Sequence, residues 1–379
     1  MRSNEWRSAT GVVAALVVSS QCTATQPRAR VGPVPPEVRG AWTTIPLLET
    51  RRFHTATPLG DGRVLVVGGE DPAVVSRTSG LLTTEIYDPS QRRFLRGPEL
   101  PDARVWHAAA RVGTFVLVAG GLLSLSSALL VDQVTTELRP TGPMLIGRQN
   151  FEVVSLLDGT ALVFGGGGRD RHQFAEAYDP QRQSFSRVGD IVVPRFDCPA
   201  TVLRDGRVLL TGGVSAAQAS YNERLADAEL YEPSTRQFFK TGSMKHARSE
   251  HTATLLEDGK VLVAGGHTDT AELYDPERGT FREIASLRSP RSDHAAVRLL
   301  DGRVLIVGGA TYIRGKDGIL KTAEVFDPAT ERFFPSPPMS VERQGHTATL
   351  LKNGEVLVVG GWTGIPPGST TAEVFSLLP

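Results

Sequence analysis

Three acidic residues occupy one variable position of an internal repeat, and they are the residues of this sequence best suited to chemistry. Seven segments begin with an arginine that is followed two residues later by a side chain the repeat does not fix. These variable residues are Phe53, Trp106, Asn150, Asp197, Glu250, Asp293 and Gly345. Carboxylates and an amide accept hydrogen bonds from hydroxyl or ammonium groups, and aromatic rings stack on apolar faces. The set predicts a site for a saccharide or a cationic group.

The three acids, Asp197, Glu250 and Asp293, also admit enzyme chemistry, because an acid and a base at a suitable separation suffice for glycoside or epimerase reactions. The sequence does not fix their separation. It contains no Gly-x-Ser-x-Gly, His-Glu-x-x-His or Walker motif, and "GGGGRDRH" from Gly165 is interpreted as the end of a strand followed by a turn. We therefore assign no catalytic residue, no metal ligand and no cofactor.

The element that positions these residues is a repeated β-hairpin, as in "RSEHTATLLEDGKVLVAGG" from Arg248. The copies start at seven arginines, named here the anchor arginines: Arg51, Arg104, Arg148, Arg195, Arg248, Arg291 and Arg343. A Gly-Gly pair follows seventeen residues later, or sixteen in the second copy, after two alternating apolar runs mostly joined by Asp-Gly. Because such dipeptides tolerate positive φ at both turn positions, we expect type I′ hairpins between strands a and b.

The second half of each copy predicts strands c and d. In "TAELYDPERGTFREIASL" from Thr270, a glutamate opens strand c, Asp-Pro makes a turn and an aromatic residue begins strand d. Leu129 takes the glutamate position in the second copy, and the seventh copy lacks a fourth strand, for which "GAWTTIPLLETR" before Arg51 is a spare. We therefore predict an all-β, seven-bladed β-propeller of four-stranded antiparallel blades, closed by the N-terminal strand.

This pattern resembles the Kelch motif, with its Arg-x-x-His start, the Gly-Gly pair after strand b and aromatic residues on strands c and d. It also looks like the propeller domain of galactose oxidase. The resemblance covers residues 41–379 and implies the fold, whereas Kelch propellers include enzymes, peptide binders and envelope proteins. Copper radical oxidases similar to galactose oxidase need a Tyr-His metal constellation, and this chain has no Tyr-His dipeptide, so oxidase activity is not expected.

The length of the repeat varies between the Gly-Gly pair and the glutamate position, which is the connection between strands b and c. Strand alternation puts the b–c and d–a connections on one side of the disc, named here the loop face. The a–b and c–d turns form the opposite turn face. Irregular loops on a rigid scaffold usually carry recognition residues, so we expect binding on the loop face, with Tyr312, Arg314 and Trp362 as further contributors.

The anchor arginines are predicted to be structural. A partly buried guanidinium needs a partner, and the glutamate of strand c could pair with it bidentately and tie the blades together. Because Leu129 removes one carboxylate, Arg104 or Arg148 should lack its partner beside the short loop "LLSLSSA". We retain both arginines as candidate binding residues.

Five histidines recur three residues after the anchor arginine, and two other residue types replace them in the third and fourth copies. The histidines are His54, His107, His251, His294 and His346, and the replacements are Phe151 and Cys198. A metal site needs several ligands that converge on one ion, and a position that accepts Phe is not a ligand position. We predict that the histidines pack and make a backbone hydrogen bond, and that Cys198 is a small buried apolar residue.

The N-terminus has the features of a targeting segment. Arg2 and Arg7 precede a short apolar run, and Cys22 stands where a lipoprotein signal places its acylated cysteine, although Gln21 is an unusual neighbour. We predict a signal or lipoprotein-type segment at 1–22, a Pro-rich tether at 23–40 and the propeller at 41–379. Acylation of Cys22, plain signal cleavage and no export all stay open, because the apolar run is weak. We predict export, which implies an extracytoplasmic bacterial protein that is periplasmic, anchored to the outer membrane or secreted.

Charge and hydropathy narrow the choice of partners. Lys+Arg and Asp+Glu both number 41, and this zero net charge argues against nucleic acid. No run of eighteen apolar residues occurs, so membrane contact is expected only through a lipid on Cys22. We predict a monomeric binding module for a saccharide or a protein segment. The alternatives are a sugar-modifying enzyme similar to the Kelch-type N-acetylneuraminate epimerase, and a structural envelope component.

Overall fold

Seven four-stranded antiparallel sheets follow one another along the chain, as predicted, in a computed structural model of the protein. The structure describes residues 38–74, 80–167, 174–216, 223–313 and 316–378. All of these residues lie in one unit, Glu37–Pro379. The predicted targeting segment, with Cys22, and most of the predicted tether lie outside the described residues.

The strand bounds follow the repeat. The chain enters with β1 (Gly40–Pro46), and blade 1 then contains β2 (Thr55–Pro58), β3 (Val64–Val67), β4 (Thr84–Asp88) and β5 (Arg93–Arg96). Blade 2 contains β6 (Ala108–Val112), β7 (Phe115–Ala119), β8 (Ala128–Asp132) and β9 (Leu138–Pro140). Blade 3 contains β10 (Gln149–Ser155), β11 (Ala161–Gly167), β12 (Phe174–Asp179) and β13 (Ser184–Asp190).

Blades 4 and 6 each add a short two-stranded ribbon, which lies within the b–c connection of blade 6 and pairs the d–a with the b–c connection in blade 4. Blade 4 has ribbon strands β14 (Arg195–Phe196) and β17 (Val214–Ser215) beside β15 (Ala200–Val202), β16 (Val208–Thr211), β18 (Ala228–Glu232) and β19 (Gln237–Lys240). Blade 5 contains β20 (His251–Leu255), β21 (Val261–Gly265), β22 (Ala271–Asp275) and β23 (Thr280–Glu283). Blade 6 has β24 (Ala295–Arg298), β25 (Val304–Val307), β28 (Ala323–Asp327) and β29 (Arg332–Ser336) beside ribbon strands β26 (Ala310–Ile313) and β27 (Lys316–Ile319). Blade 7 combines β30 (Thr347–Leu350), β31 (Val356–Val359) and β32 (Thr371–Leu377) with β1.

The a–b hairpins differ from the predicted type I′ turns. In blade 1 the glycine of the Asp-Gly pair, Gly62, has φ 101°, but Asp61 is not in the positive-φ region. The N–H of Gly62 donates to Leu59 O at 3.1 Å, and the Asp61 carboxylate accepts the N–H of Arg63 at 3.0 Å. This is a three-residue loop with a type I turn and a left-handed glycine. The aspartate is therefore selected because it caps the turn, rather than because it tolerates positive φ.

The hydrophobic core consists of seven clusters, one between each pair of neighbouring blades. Strands b and c are buried on both faces, so Val64–Val67 is a continuous apolar run with all four residues buried. The cluster that joins blade 7 to blade 1 includes Leu357 and Val359 from β31 and Val64 and Val66 from β3. The seven sheets therefore form a closed ring.

The N-terminal strand closes this ring, as predicted. β1 pairs with β32 from Gly40 opposite Leu377 to Pro46 opposite Thr371. The ring of Trp42 lies 4.9 Å from that of Phe375. The a strands of neighbouring blades contact one another all the way round, which makes them the innermost strands. The described part of the chain has no helix with the length and apolarity needed to cross a membrane.

Candidate functional site

The seven variable residues stand in one ring at the loop-face ends of the innermost strands, and we name them the mouth positions. Backbone N–H groups link neighbouring members: Asn150 to Trp106 O at 3.1 Å, Glu250 to Asp197 O at 3.3 Å, Asp293 to Glu250 O at 3.2 Å, Gly345 to Asp293 O at 3.2 Å and Phe53 to Gly345 O at 3.2 Å. The hypothesis that these positions surround a central mouth therefore agrees with their geometry.

All seven mouth positions have left-handed backbone conformation, with φ between 50° and 62°. Only one of them, Gly345, is a glycine, and an L-residue in this region costs about 1–2 kcal/mol. The inter-blade hydrogen bonds and the buried strands on either side impose this conformation on whatever residue the sequence supplies. The backbone is thus uniform round the ring while the side chains differ, as expected of a scaffold that presents recognition groups.

The three acids at the mouth, Asp197, Glu250 and Asp293, lie on consecutive blades, and we name them the mouth acids. The His267 ring contacts the Glu250 carboxylate, with 3.0 Å between Nε2 and Oε2. Neither Asp197 nor Asp293 makes an ion pair with any residue that the structure describes. The mouth therefore carries two carboxylates that no described protein cation neutralises by direct contact.

Burial and mutual repulsion set the protonation of the mouth acids. Burial, followed by the charge of Glu250, raises the pKa of Asp197 to about 7. Burial and the charges of Glu250 and Asp197 raise the pKa of Asp293 to about 7, against the opposing charges of His267 and Arg52. Burial also raises the pKa of Glu250, but the hydrogen bond and charge of His267 outweigh it, so that this pKa is lowered overall. Glu250 is thus ionised at neutral pH while its two neighbours titrate there.

A fourth carboxylate, Glu152, escaped the sequence analysis. It lies on β10 two residues after the mouth position of blade 3, and burial, then the charge of Asp197, raises its pKa to about 8. Burial raises the pKa of the Cys198 thiol in blade 4, and the charge of Glu152 adds to that rise. Among the described residues Glu152 makes no ion pair. The sequence alone could have identified Glu152, because this repeat position is Thr, Ala or Pro in every other copy.

The aromatic mouth residues lie next to each other, as predicted. The rings of Phe53 and Trp106 are 5.9 Å apart at 53°. The Arg52 guanidinium lies 5.0 Å from the Phe53 ring and 5.5 Å from the Trp362 ring, and it pairs with Glu70 at 2.6 Å. Trp362 is thus connected to the mouth through Arg52. The mouth has an aromatic arc on blades 1 and 2 and an acidic arc on blades 4 to 6, with Asn150 between them.

The anchor arginines are completely buried, and six of them pair with the strand c glutamate of their own blade at 2.5–3.0 Å. The predicted bidentate geometry is wrong, because the guanidinium bonds to one carboxylate oxygen. The other oxygen accepts a backbone N–H from the d–a connection, as with Leu145 N to Glu176 Oε2 at 2.6 Å. The glutamate therefore fastens the chain arriving from the preceding blade.

Arg104 is the anchor arginine without a carboxylate, whereas Arg148 pairs with Glu176 at 3.0 Å. Arg104 donates to Gly120 O at 2.9 Å and to Ser127 Oγ at 2.8 Å, and burial lowers its pKa to about 10. In the other six blades the residue three positions before the anchor arginine donates its N–H to the glutamate. In blade 2 that residue is Pro101, which has no N–H. Both arginines are completely buried, so neither side chain is exposed at the mouth.

The recurrent histidines are buried, and in four of the five a side-chain hydrogen bond to threonine replaces the predicted backbone one; His346 instead interacts with backbone groups of Val307 and Arg343. His54 bonds to Thr347 at 3.0 Å, and His107 bonds to Thr55 at 3.0 Å, each threonine lying on the preceding blade. Cys198 is buried and free, in keeping with the predicted packing role. No group of three or more His, Cys, Asp or Glu side chains in the described residues could hold a metal ion.

Two loop candidates are only partly described or not described. Tyr312 lies on ribbon strand β26 in the b–c connection of blade 6, and the structure describes its backbone but not its side chain. Arg314 lies outside the described residues.

No protein-family model matches the chain, but curated Kelch proteins do. F-box/kelch-repeat protein SKIP20 of Arabidopsis thaliana is 32% identical over 142 residues, which are 34% of this chain and 34% of that protein. Kelch-like protein 38 of Homo sapiens is 24% identical over 235 residues, which are 60% of this chain and 38% of that protein. The matched regions therefore span little more than a third of these curated relatives.

Solved structures show the same architecture. A fungal alcohol oxidase of the AA5 family, in complex with copper, has a TM-score of 0.73 at 19% identity and covers 90% of this chain and 77% of its own. The structure of YjhT has a TM-score of 0.58 at 16% identity and covers 73% of this chain and 95% of its own. At these identities the likeness shows the fold alone. With its seven closed blades, the repeated Arg-x-x-His and Gly-Gly pattern and its Kelch relatives, the chain is a Kelch-repeat β-propeller.

Proposed function

We propose that this propeller is a binding module that holds a segment of a partner protein on its loop face, centred on the mouth. The observation that carries the proposal is the ring of mouth positions, whose backbone is uniform and whose side chains are not. A purely structural ring would not need Trp106 beside Phe53 on one arc and three carboxylates on the other. The Kelch relatives favour interaction as the role of the scaffold, since such propellers include peptide binders.

A saccharide is the second candidate ligand, and the aromatic arc favours it. Trp106 and Phe53 could stack against the apolar face of a sugar ring, and the mouth acids and Asn150 could accept hydrogen bonds from its hydroxyl groups. An aromatic ring opposite carboxylates serves either ligand, so the experiment must separate them.

The test is a parallel search with the full-length chain against a displayed random peptide library and a glycan array. Trp106→Ala should weaken binding of any selected ligand by at least tenfold, because buried aromatic anchors dominate interface energies. Leu300→Ser is the matched control, since Leu300 is 67% exposed on the turn face. Ligands that bind the Trp106→Ala variant as well as the wild type, or that are lost in Leu300→Ser, would show that the loop face is not the site.

We also propose that the chain is exported, with residues 1–22 as the targeting segment and Cys22 as the acylated residue. The entry point of the chain is compatible with a tether. Gly40 lies opposite Leu377, at the end of β32 remote from the loop face, so the tether would join the propeller on the turn-face side. Cell fractionation of the wild type and Cys22→Ser tests the anchor: the wild type should sediment with membranes, and the variant should become soluble outside the cytoplasm. An intact N-terminus on a cytoplasmic product would contradict export.

A further inference from the structure

The loop face has several exposed apolar side chains, Ile365 and Val192 among them, and one group of these adjoins the aromatic arc. Four leucines over blades 1 to 3, named here the apolar sector, are strongly exposed: Leu82 (40%), Leu123 (40%), Leu125 (48%) and Leu145 (54%). Leu123 lies against Gly80 of the blade 1 loop, and Leu125 lies against Gly147 at the entry to blade 3. These side chains therefore cover the junctions of three consecutive blades, where solvent-exposed apolar groups indicate a contact surface.

The opposite half of the loop face carries excess negative charge at the mouth. The described charged groups near the mouth acids are Glu152, His267, Arg52 and Arg224. Arg52 is already paired with Glu70, and His267 with Glu250. Two carboxylates and Glu152 therefore remain without a contacting cation among the described residues.

Glu250 differs from the other two mouth acids in its partners. Ser292 directly precedes Asp293 and is completely buried. A side-chain hydrogen bond from Ser292, together with His267, lowers the pKa of Glu250. Neither Asp197 nor Asp293 has an ion-pair partner among the described residues, so these two carboxylates are the ones that a cationic group would contact.

We propose that the mouth receives the basic side chain of a partner protein segment, a lysine or an arginine, while aliphatic side chains next to it in that segment pack on the apolar sector. This inference rests on the proposed function and specifies its ligand. Charge complementarity carries it: an ammonium or guanidinium group would donate to the mouth acids and relieve their mutual repulsion. Phe53 and Trp106, between the two halves, would cover the methylene stem and contribute a cation–π contact.

A protein segment fits better than a saccharide because the apolar sector offers aliphatic groups and few hydrogen-bonding partners. A segment with both a basic and an aliphatic residue would use both halves of the loop face. The site also couples binding to protons, because a cation favours ionised carboxylates. Asp197 and Asp293 each have a pKa of about 7, so the ionised fraction of each falls about tenfold between pH 8 and pH 6. The affinity for a cationic segment should fall by at least the same factor.

The experiment uses the tightest peptide selected from the random library and its synthetic counterpart with norleucine in place of the basic residue. Both are titrated calorimetrically into the full-length chain and into the double variant Asp197→Asn, Asp293→Asn. Norleucine should weaken binding at least tenfold in the wild type and less than threefold in the double variant, because the charge no longer has its partners. Leu123→Ser with Leu125→Ser should weaken both peptides equally, and Leu300→Ser should leave both unchanged.

The outcomes separate the inference from the function on which it rests. Peptides that need Trp106 but contain no basic residue, or whose affinity is the same at pH 6 and pH 8, overturn the inference and leave a protein-binding loop face. Peptides whose affinity no loop-face substitution changes would overturn the proposed function itself. Glycans that depend on Trp106, with no selected peptide, overturn the inference in favour of the saccharide.

Discussion

Replacing Asp197 by Asn should make this protein more stable at alkaline pH. Asp197 is partly exposed at the mouth, and its pKa stands near 7 instead of the ordinary 3.8, chiefly through burial. Between those values the folded protein keeps a proton that the unfolded chain releases. The free energy of unfolding therefore falls as pH rises through this window, and it levels off above it. Asparagine has nearly the same shape and no charge, so the variant lacks this loss.

The size of the effect follows from the shift. Each pH unit inside the window costs about 1.4 kcal/mol, and between pH 5 and the pKa near 7 two units apply. The ionisation of Asp197 therefore lowers the free energy of unfolding by at most about 3 kcal/mol over this range. Solvent at the mouth screens the charge, and Glu250 and Asp293 share the repulsion, so the advantage of the variant should grow by about 1–3 kcal/mol from pH 5 to pH 8.

Urea unfolding followed by tryptophan fluorescence, at several pH values, measures this difference. The recurrent histidines titrate in both proteins and cancel in the comparison. Glu277→Gln is the control, because Glu277 is exposed in a turn of blade 5 and should show no pH-dependent advantage. An Asp197→Asn variant whose advantage is the same at pH 5 and pH 8, or shrinks, would refute the argument that the mouth holds destabilised charge.

Three further predictions concern the framework. Glu272→Gln leaves its anchor arginine buried without a carboxylate, so urea titration should show a loss of about 3–5 kcal/mol, and a loss below about 1 kcal/mol would contradict a structural pair. Burial lowers the pKa of His346 to about 3, so its stabilising contribution is lost as pH falls from 6.5; His346→Phe should reduce the pH dependence of stability by up to ~1.4 kcal/mol per unit, and an unchanged slope would exclude this. Leu129→Glu should destabilise alone, because Pro101 cannot donate to the new carboxylate; adding Pro101→Leu should recover at least ~1 kcal/mol beyond additivity in a double-mutant cycle.

The fold could be predicted from spacing because each repeat has the same strands, turns and Gly-Gly stop. The ring closure was readable in the same way, since the missing fourth strand of blade 7 matches the spare one before Arg51. Leu129 alone predicted that one anchor arginine lacks a carboxylate, but it left Arg104 and Arg148 open until the structure identified Arg104. Leu129 and the missing fourth strand are both departures from a strict repeat, and such departures are visible within one sequence.

The finer chemistry could not be predicted because it depends on three-dimensional neighbours. The repeat fixes that Asp61 precedes Gly62, but both a two-residue and a three-residue turn are compatible with that dipeptide. The histidines were expected to bond to the backbone, whereas in four of the five a threonine on the preceding blade bonds to the ring. Glu152 was overlooked because it lies on a strand position that looks like ordinary packing until the pKa of the carboxyl and its neighbour Asp197 are considered.

Two departures from the repeat come in contacting pairs, and such pairing indicates packing rather than function. Where His is replaced by Phe151, the facing residue of blade 2 is Ala108 instead of threonine, and both belong to one core cluster. Leu129 occurs with a proline that has lost the matching N–H. Each such pair removes a group and its partner together, which keeps the interior satisfied. Asp197 and Asp293 add charge with no such compensation among the described residues, and the proposed basic side chain of a partner would supply it.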